Sequence, residues 1–276
     1  DLAQKLLYLD GKPFSLADYP MYRTIYDGRY KRTVLMCGRQ VAKSTSIANF
    51  MITESISTPH FRVYYVSPTQ EQTVKFSNTR VGKTLAYSPY VRRYFQSATH
   101  SDRVLHREYT NGSENAFTYA CDDADRARGF SADRVCYDEF QDMVYDAVVP
   151  VINACMKSSK YRFEMYAGTP KTMEGSLQYL WERSSQSEWA MKCPGCGKFN
   201  IAVSEKIIGK NGPCCLKCGH VLNPRNGVWV DFKKPDIDEE SGEQIKAFHI
   251  PQIIMPANIE DCYTDSEARE EARSRW

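Results

Sequence analysis

A short run of small and polar residues between two apolar stretches has the composition of a phosphate-binding loop. It reads Cys37-Gly-Arg-Gln-Val-Ala-Lys-Ser44. In the general pattern G-x-x-x-x-G-K-[ST], backbone N–H groups wrap the phosphates, the lysine reaches the outer phosphates and the hydroxyl binds Mg²⁺. When the run is aligned on Lys43-Ser44, Cys37 and Ala42 occupy the two glycine positions of the pattern. Gly38 lies one residue after the first of these positions. The match is therefore degenerate, although both replacements are small.

The residues on either side of this loop are those that a phosphate site needs. An apolar run over 33–38 predicts a buried strand before the loop, and the residues from Lys43 onward have helical composition. A helix that begins at the phosphates adds its N-terminal dipole to the site. The alternative is an ordinary strand-to-helix turn with a surface lysine. We expect a nucleotide to be held by Gly38, Arg39, Gln40, Val41, Ala42, Lys43, Ser44 and Thr45.

Two consecutive carboxylates follow a second apolar strand, in Arg134-Val-Cys-Tyr-Asp138-Glu139. Ligands of open α/β sheets bind at the carboxyl ends of the strands, which is where this pair would lie. Asp138 would share a Mg²⁺ ion with Ser44, and Glu139 would orient and polarise the water that attacks a γ-phosphate. A lone Asp-Glu pair is usually a solvated turn. A pair at the end of an apolar strand, downstream of a Lys-Ser loop, indicates nucleotide hydrolysis.

Three arginines and one threonine are further candidates for contacts with the phosphates. Arg39 lies in the loop, and Arg126 and Arg128 precede the strand that carries the two acids. A guanidinium group stabilises charge on a transferring phosphoryl group and comes from the same subunit or from a neighbour. Thr169 follows an apolar segment in a turn of small residues, where its hydroxyl can sense the γ-phosphate. Taken alone, each of these residues is more often part of an ordinary surface or turn.

Four cysteines form two Cys-x-x-Cys pairs, Cys193/Cys196 and Cys215/Cys218, with eighteen residues between them. This is the spacing of a zinc ribbon, and four thiolates make a closed tetrahedral site with a structural role. Cys214 competes with Cys215, but it would require a Cys-x-x-x-Cys spacing. The module is locally basic, which leaves two interpretations open: contact with DNA phosphates, or packing against a partner subunit.

The order of the predicted elements indicates the architecture that must position these groups. Strands are predicted over 33–38, 61–67, 116–120, 134–137, 161–167 and 245–254, and helices over 43–51, 70–85, 142–158 and 174–185. This alternation predicts an α/β protein with the P-loop NTPase fold, in which helices flank a mostly parallel central sheet. From 192 to about 232 the composition changes to Cys, Gly, Pro, Asn and Lys, which predicts a small inserted zinc ribbon.

This change in composition divides the chain into three segments. Residues 1–190 are predicted to form the first part of a P-loop ATPase domain, and residues 191–234 the zinc-ribbon insertion. Residues 235–276 return to the ATPase domain and start a truncated C-terminal helix, predicted over 266–276.

Composition excludes several classes of protein. With 276 residues and 42% hydrophobic content, the chain has the composition of a globular protein. Its formal net charge of +2 gives no global field for indiscriminate nucleic-acid binding, so polyanion binding must be local. No apolar run approaches the length of a membrane span, and the N-terminus lacks the layout of a signal peptide. We therefore expect a cytosolic protein with reduced thiols and no membrane partner.

Five motifs, taken in order, resemble the large terminase subunit of tailed phages, the motor that packages DNA into proheads. The resemblance covers the chain from about 15 to 256. Loops of this family commonly carry Arg-Gln before a small residue and Lys-Ser/Thr, so the departures from the general pattern become family features, although Ala42 is less usual than glycine. The motifs are Cys37-Gly-Arg-Gln-Val-Ala-Lys-Ser-Thr45, Ser67-Pro-Thr-Gln70, Arg128-Gly129, Val135-Cys-Tyr-Asp-Glu139 and Ala167-Gly-Thr-Pro170.

The resemblance implies an ATP-hydrolysing DNA translocase and, together with the cysteines, the cofactors ATP, Mg²⁺ and Zn²⁺. It implies that Thr169 couples hydrolysis to DNA movement and that Arg128 is a finger offered in trans to the ATP of the next subunit. Arg39 is a second candidate for contacting the γ-phosphate. The expected partners are double-stranded DNA, a homo-oligomeric ring at the portal, the portal protein and the small terminase subunit, in the cytoplasm of the infected host cell.

Two features of that family are missing from the sequence. The family often has a glutamine-containing adenine motif upstream of the loop, whereas the matching region reads Leu16-Ala-Asp-Tyr-Pro-Met-Tyr22. Tyr19 and Tyr22 remain as candidates for stacking on the base. Large terminases also contain a C-terminal nuclease domain with clustered acidic metal ligands. This chain resembles an ATPase-domain fragment, or a protein whose cutting function lies elsewhere, and we assign no nuclease activity to it.

Two other functions compete with this one. A helicase-like or DNA-repair P-loop ATPase with a structural zinc ribbon would need a second ATPase lobe with its own arginine motif, and the residues after Gly219 do not provide one. A non-enzymatic zinc-ribbon scaffold with an inactive nucleotide site would not need the carboxylate of Glu139.

Overall fold

The computed structural model describes residues 2–96, 102–125, 128–172, 174–203, 205–209, 211–237 and 242–255. The helix predicted over 266–276 and the candidate Arg126 lie outside these ranges. Among the described helices, none is long and apolar enough to cross a membrane.

The described residues form short helices and strands that alternate along most of the chain. The helices are α1 (Leu2–Leu6), α2 (Tyr22–Asp27), α3 (Lys43–Ser57), α4 (Gln70–Phe76), α5 (Lys83–Tyr87), α6 (Pro89–Phe95), α7 (Tyr145–Asn153) and α8 (Ser176–Glu182). The strands are β1 (Tyr8–Leu9), β2 (Lys12–Pro13), β3 (Arg32–Cys37), β4 (Arg62–Ser67), β5 (Asp102–Arg103), β6 (His106–Glu108), β7 (Glu114–Tyr119), β8 (Arg134–Asp138), β9 (Phe163–Gly168), β10 (Ser187–Lys192), β11 (Phe199–Ile201), β12 (Ile208–Gly209), β13 (Gly212–Pro213), β14 (Gly227–Asp231) and β15 (Ile245–Ile250).

One large sheet organises the chain, and its strand order is β11-β10-β15-β3-β9-β8-β4-β7-β6-β5, with β14 also paired to β10. Every pairing from β10 through β15, β3, β9, β8 and β4 to β7 is parallel. The pairings of β11 and β14 with β10, and those among β5, β6 and β7, are antiparallel. The predicted α/β fold with a mostly parallel central sheet is therefore confirmed.

The central strands are apolar on both faces because helices cover both faces. Every residue of β3 and of β8 is buried. Neighbouring residues of β3 belong to different cores: Leu35 clusters with Ile47 of α3, whereas Val34 clusters with Val148 of α7 and Leu177 of α8. The helices therefore fix the sheet from both sides, and α3 begins at the carboxyl end of β3.

Helix lengths differ from the sequence prediction where the backbone changes its hydrogen-bond pattern. The segment predicted as one helix over 70–85 consists of α4, a π-helical segment (Ser77–Gly82) and α5. The helix predicted over 142–158 is shorter, because a 3-10 turn (Phe140–Asp142) precedes α7 and a second one (Ala154–Met156) follows it. The strand predicted over 245–254 ends at Ile250, because Pro251 has no N–H group to donate to a neighbouring strand.

The cysteine-rich region joins the edge of the central sheet through its strands. Both β11 and β14 pair with β10, and β10 pairs with β15 next to β3. The segment boundaries expected after residues 190 and 234 stay a prediction.

The loop between β3 and α3 uses backbone conformations that most residues avoid. Gln40 and Ala42 both have positive φ values, of 57° and 62°. Gly38 has another reason to be glycine, because a Cβ atom there would lie 2.9 Å from the backbone nitrogen of Gln252. Ala42 occupies the position before the lysine where the general pattern has glycine. Its backbone is left-handed although the residue is alanine.

Replacing Ala42 by glycine is expected to raise the free energy of unfolding by about 0.5–1 kcal/mol. The left-handed conformation costs an L-residue roughly 1–2 kcal/mol, and the greater freedom of glycine in the unfolded chain offsets part of that gain. Urea denaturation of the wild type and of Ala42→Gly would measure the change. Ala48→Gly, inside α3, is the control and should lower stability by about 1 kcal/mol or more. A loss of stability in Ala42→Gly would contradict the left-handed backbone at this position.

Candidate functional site

Most of the predicted nucleotide-site residues line a cleft of about 470 Å³ at the carboxyl ends of three neighbouring strands. The loop follows β3, Asp138 ends β8 and Glu139 follows it. The turn that follows β9 lies between the loop and the acids, because β9 separates β3 from β8. Parallel sheets place ligand sites at this edge. The cleft is lined by Gly38, Arg39, Gln40, Val41, Ala42, Lys43, Ser44, Thr45, Arg80, Glu139, Gln141, Asp142, Thr169, Pro170 and Lys171.

The buried ammonium group of Lys43 lies between the two predicted carboxylates. Its Nζ is 2.9 Å from Oδ1 of Asp138 and 2.7 Å from Oε1 of Glu139. Burial would by itself lower the pKa of Lys43, but the two negative charges outweigh it and leave the pKa raised. The lysine is therefore charged throughout the neutral range.

Asp138 is held in place by three hydrogen-bond donors in addition to the lysine. Its Oδ2 accepts from the Ser44 hydroxyl at 3.3 Å and from the Tyr65 hydroxyl at 3.1 Å, and its Oδ1 accepts from the backbone N–H of Glu139 at 3.0 Å. Burial, followed by the charge of Asp138, raises the pKa of Tyr65 well above its ordinary value, so this hydroxyl remains a donor. Ser44 and Asp138 thus offer adjacent oxygen atoms of the kind that Mg²⁺ prefers. The sequence analysis missed Tyr65, which looks like any apolar strand residue.

Glu139 has a left-handed backbone with a φ of 53°, and its side chain is about one-third exposed, at 32%. Oε1 faces Lys43, and Oε2 accepts from Nε2 of Gln141 at 2.8 Å. Burial would raise the pKa of Glu139, but the charge of Lys43 and the hydrogen bonds from Lys43 and Gln141 outweigh it, so the pKa is lowered. The carboxylate is ionised at neutral pH and can accept a proton from water.

Of the predicted arginines that the structure describes, one lines the cleft and the other does not. Arg39 lines the cleft, whereas Arg128 does not, and its side chain is 68% exposed with Nε 2.8 Å from Oδ1 of Asp125. An unpredicted arginine, Arg80, lines the cleft from the π-helical segment Ser77–Gly82. Nothing in the sequence distinguishes Arg80 from other surface arginines, because its position depends on the π-helical turns.

Thr169 lies at the same cleft, beside a residue that the sequence analysis did not single out. Its backbone N–H donates to Oε1 of Gln141 at 3.0 Å. Two positions further on, Nζ of Lys171 is 2.6 Å from Oδ1 of Asp142. The turn that follows β8 and the loop that follows β9 are therefore joined by two side-chain contacts.

Tyr22, a candidate for stacking on the base, supports the loop instead. Its ring is completely buried, and its hydroxyl donates to the backbone carbonyl of Val41 at 2.6 Å. A buried ring offers no face to a nucleotide base, so the stacking interpretation of Tyr22 is wrong. Tyr19 is half-buried and contacts the Tyr22 ring edge-on, with 6.5 Å between the ring centroids.

The four predicted zinc ligands converge at the edge of the sheet. The sulfur atoms of Cys193, Cys196, Cys215 and Cys218 all lie within 4.8 Å of one another. Gly197 and Gly219, one residue after each pair, both have a φ of 73°, which permits the tight turns that close the two knuckles. Four thiols at these distances fit a tetrahedral zinc ion.

Cys214 lies outside this cluster, although it is next to a cluster member. Its Sγ is 4.0 Å from the backbone carbonyl oxygen of Lys206, and its backbone forms an antiparallel bridge with Val221. The geometry therefore favours Cys215 over Cys214 as the third ligand.

Residues 15–236 match a family model that is described as "Phage terminase large subunit gpA, ATPase domain". No curated protein matches the sequence. Among solved structures, the large terminase ATPase domain of Thermus phage P74-26 aligns with a TM-score of 0.56 and 16% identity, over 96% of this chain and 94% of that one. An arginine-to-alanine mutant of the same domain aligns with a TM-score of 0.52 and 18% identity, over 90% of this chain and 86% of that one. The HK97 bacteriophage large terminase aligns with a TM-score of 0.50 and 13% identity, over 65% of this chain and 38% of that one.

The sulfur cluster predicts that zinc content depends on four cysteines and not on their neighbour. Cys193→Ser is expected to remove the zinc and to lower the midpoint of thermal unfolding, because structural zinc contributes directly to folding, by roughly 10–16 kcal/mol in zinc-finger peptides. Metal analysis and a thermal melt would measure both effects. Cys214→Ser is the matched control and should keep its zinc. A metal-free wild type, or equal zinc loss in the two variants, would contradict the assignment.

Proposed function

Because the chain belongs to the family of phage terminase large subunit gpA ATPase domains, we propose that its cleft hydrolyses ATP to drive double-stranded DNA into a viral prohead. The contact of Lys43 with Asp138 and Glu139 is the observation that carries this proposal. The family match also favours packaging over the helicase-like or DNA-repair alternative.

Each member of the cluster has a role in phosphoryl transfer. Lys43 would reach the outer phosphates of ATP, and Ser44 and Asp138 would hold a Mg²⁺ ion, which would neutralise the charge that develops on the phosphates. Glu139 orients the attacking water and accepts its proton, because the lowered pKa keeps the carboxylate ionised. The backbone N–H groups of the loop and the N-terminus of α3 complete the anion site.

The two predicted arginines fit different parts of a shared active site. Arg39, at the cleft, contacts the γ-phosphate of the ATP bound to its own subunit. Arg128 is exposed and does not line the cleft, which suits a finger that reaches the ATP of a neighbour. Such a finger requires a homo-oligomeric ring. We propose that this ring lies at the portal with the portal protein and the small terminase subunit, in the cytoplasm of the infected host cell.

Glu139→Gln is expected to lower kcat for ATP hydrolysis by about 10²–10⁴-fold, because the amide cannot accept a proton from water. ATP affinity should be retained, since the lysine and the loop remain. Steady-state hydrolysis and nucleotide-binding titrations would separate the two quantities. Glu174→Gln makes the same chemical change at an exposed position outside the cleft and is the control. A Glu139→Gln variant with the wild-type rate would exclude this carboxylate as the catalytic group.

A basic and aromatic stretch over residues 72–96 supports DNA as the partner. It contains five Lys and Arg residues and no Asp or Glu, although the whole chain has a net charge of only +2. All five cations, Lys75, Arg80, Lys83, Arg92 and Arg93, are exposed. Tyr87, Tyr90 and Tyr94 are also exposed, by 47%, 49% and 52%. Exposed cations attract phosphates, and exposed tyrosines add contacts to sugars and bases.

This basic stretch also reaches the cleft, because Arg80 lines it. The segment that contacts DNA in this proposal is therefore continuous with a residue next to the nucleotide. We propose that α4 to α6 transmit the state of the nucleotide to the DNA, and that Thr169 takes part in this coupling.

Charge reversal in the basic stretch is expected to weaken DNA binding in a salt-dependent manner. In an Arg92→Glu/Arg93→Glu double variant, the slope of log K against log salt should fall by about 0.9 for each phosphate contact that is lost. Fluorescence anisotropy with duplex DNA at several salt concentrations would measure it. The double variant Lys157→Glu/Lys160→Glu, with the same change of charge at exposed positions after α7, is the control. Equal losses in the two variants would contradict a local DNA surface.

A further inference from the structure

The side-chain amide of Gln141 connects the carboxylate of Glu139 to the loop that follows β9. Its Nε2 donates to Oε2 of Glu139 at 2.8 Å and to Oδ2 of Asp142 at 3.2 Å, and its Oε1 accepts from the backbone N–H of Thr169 at 3.0 Å. We infer that Gln141 is a positioning residue that orients Glu139 for its water and links that orientation to residues 168–171. This inference rests on the proposed hydrolysis of ATP at the cleft.

The two oxygens of the Glu139 carboxylate have different partners, and this division gives the amide its role. Oε1 faces Lys43, and Oε2 faces Gln141. When Lys43 turns to the phosphates of ATP, Oε1 becomes available to the attacking water, while the amide still holds Oε2. One oxygen is thus fixed so that the other points in one direction. Without the amide, the carboxylate would rotate about its terminal bond, which is a soft torsion.

Gly168 provides separate support, because its lack of a side chain makes room for this amide. A Cβ atom at position 168 would lie 2.3 Å from Oε1 of Gln141. Gly168 is the last residue of β9, and its φ lies outside the left-handed region, so backbone conformation does not require glycine. The Gln141 amide occupies the space that a side chain at position 168 would take.

The backbone around Gln141 makes the connection stiff. Glu139 has a left-handed conformation, and the 3-10 turn Phe140–Asp142 follows it directly. At the far end of this turn, Asp142 forms an ion pair with Lys171 at 2.6 Å. The turn therefore contacts the loop that follows β9 at Thr169 and at Lys171. A movement of Glu139 between Lys43 and water must be accompanied by a change in one of these contacts.

The test is how the effect of Gln141→Ala divides between kcat and KM for ATP. We expect kcat to fall by about 10–100-fold, a loss of the size seen when hydrogen-bond partners of metal ligands are removed, with KM for ATP within twofold of the wild type. A purely structural role would lower the melting temperature and change KM together with kcat.

Gln178→Ala is the matched control, because the Gln178 amide also donates to a carboxylate, Oε1 of Glu182 at 3.1 Å, on the exposed surface of α8. It should leave kcat and KM unchanged. Gly168→Ala is expected to lower kcat as Gln141→Ala does, because the added methyl group displaces the Gln141 amide without removing it. If Gln141→Ala fails to fold, Gln141→Asn tests the same contact, because the shorter side chain cannot reach both partners.

The outcomes separate this inference from the proposed function. An active wild type, together with an unchanged kcat in Gln141→Ala, overturns the role of Gln141 and leaves ATP hydrolysis intact. Equal effects of Gln141→Ala and Gln178→Ala overturn it as well. A wild type without ATP hydrolysis overturns the proposed function, and the inference fails with it.

Discussion

A buried ammonium group between two carboxylates determines the arrangement of the cleft. Taking the charge of Lys43 out of water is costly unless opposite charges touch it, so Asp138 and Glu139 must reach the same point as the lysine. Parallel strands meet this condition, because their carboxyl ends lie at one edge of the sheet. β3 leads to the lysine, β8 leads to the acids, and β9 between them leads to Thr169. The parallel order of the sheet is thus what brings distant parts of the sequence together.

Backbone strain is concentrated around the same cluster. Gln40, Ala42 and Glu139 all have positive φ values, of 57°, 62° and 53°, and all three line the cleft. Strained residues persist only where the surrounding contacts hold them. Here the buried hydroxyl of Tyr22 holds the carbonyl of Val41, and the amide of Gln141 holds the carboxylate of Glu139. Hydrogen bonds from neighbouring side chains therefore support the strained segments of the cleft.

The sequence was sufficient for the features that depend on local pattern. Apolar strands before Gly38 and before Asp138 predicted the parallel sheet and the position of the loop, and the cysteine spacing predicted the sulfur cluster, because period and spacing reflect burial and ligand geometry directly. The roles of Tyr22, Arg80 and Gln141 could not be predicted. They depend on side-chain directions after the chain has folded, on a π-helical segment within an apparently regular helix, and on the approach of β9 to the turn that follows β8.

Steady-state ATP hydrolysis by the wild type tests the central claim most directly, namely that the Lys43 cluster is a hydrolytic centre completed by a neighbouring subunit. The rate per chain would be measured with Mg²⁺ over a range of protein concentrations, with and without duplex DNA. The account predicts Mg²⁺-dependent hydrolysis whose rate per chain rises with protein concentration, because the proposed finger Arg128 would act on the ATP of another subunit. An absence of hydrolysis at every concentration, with DNA and without it, would contradict the account.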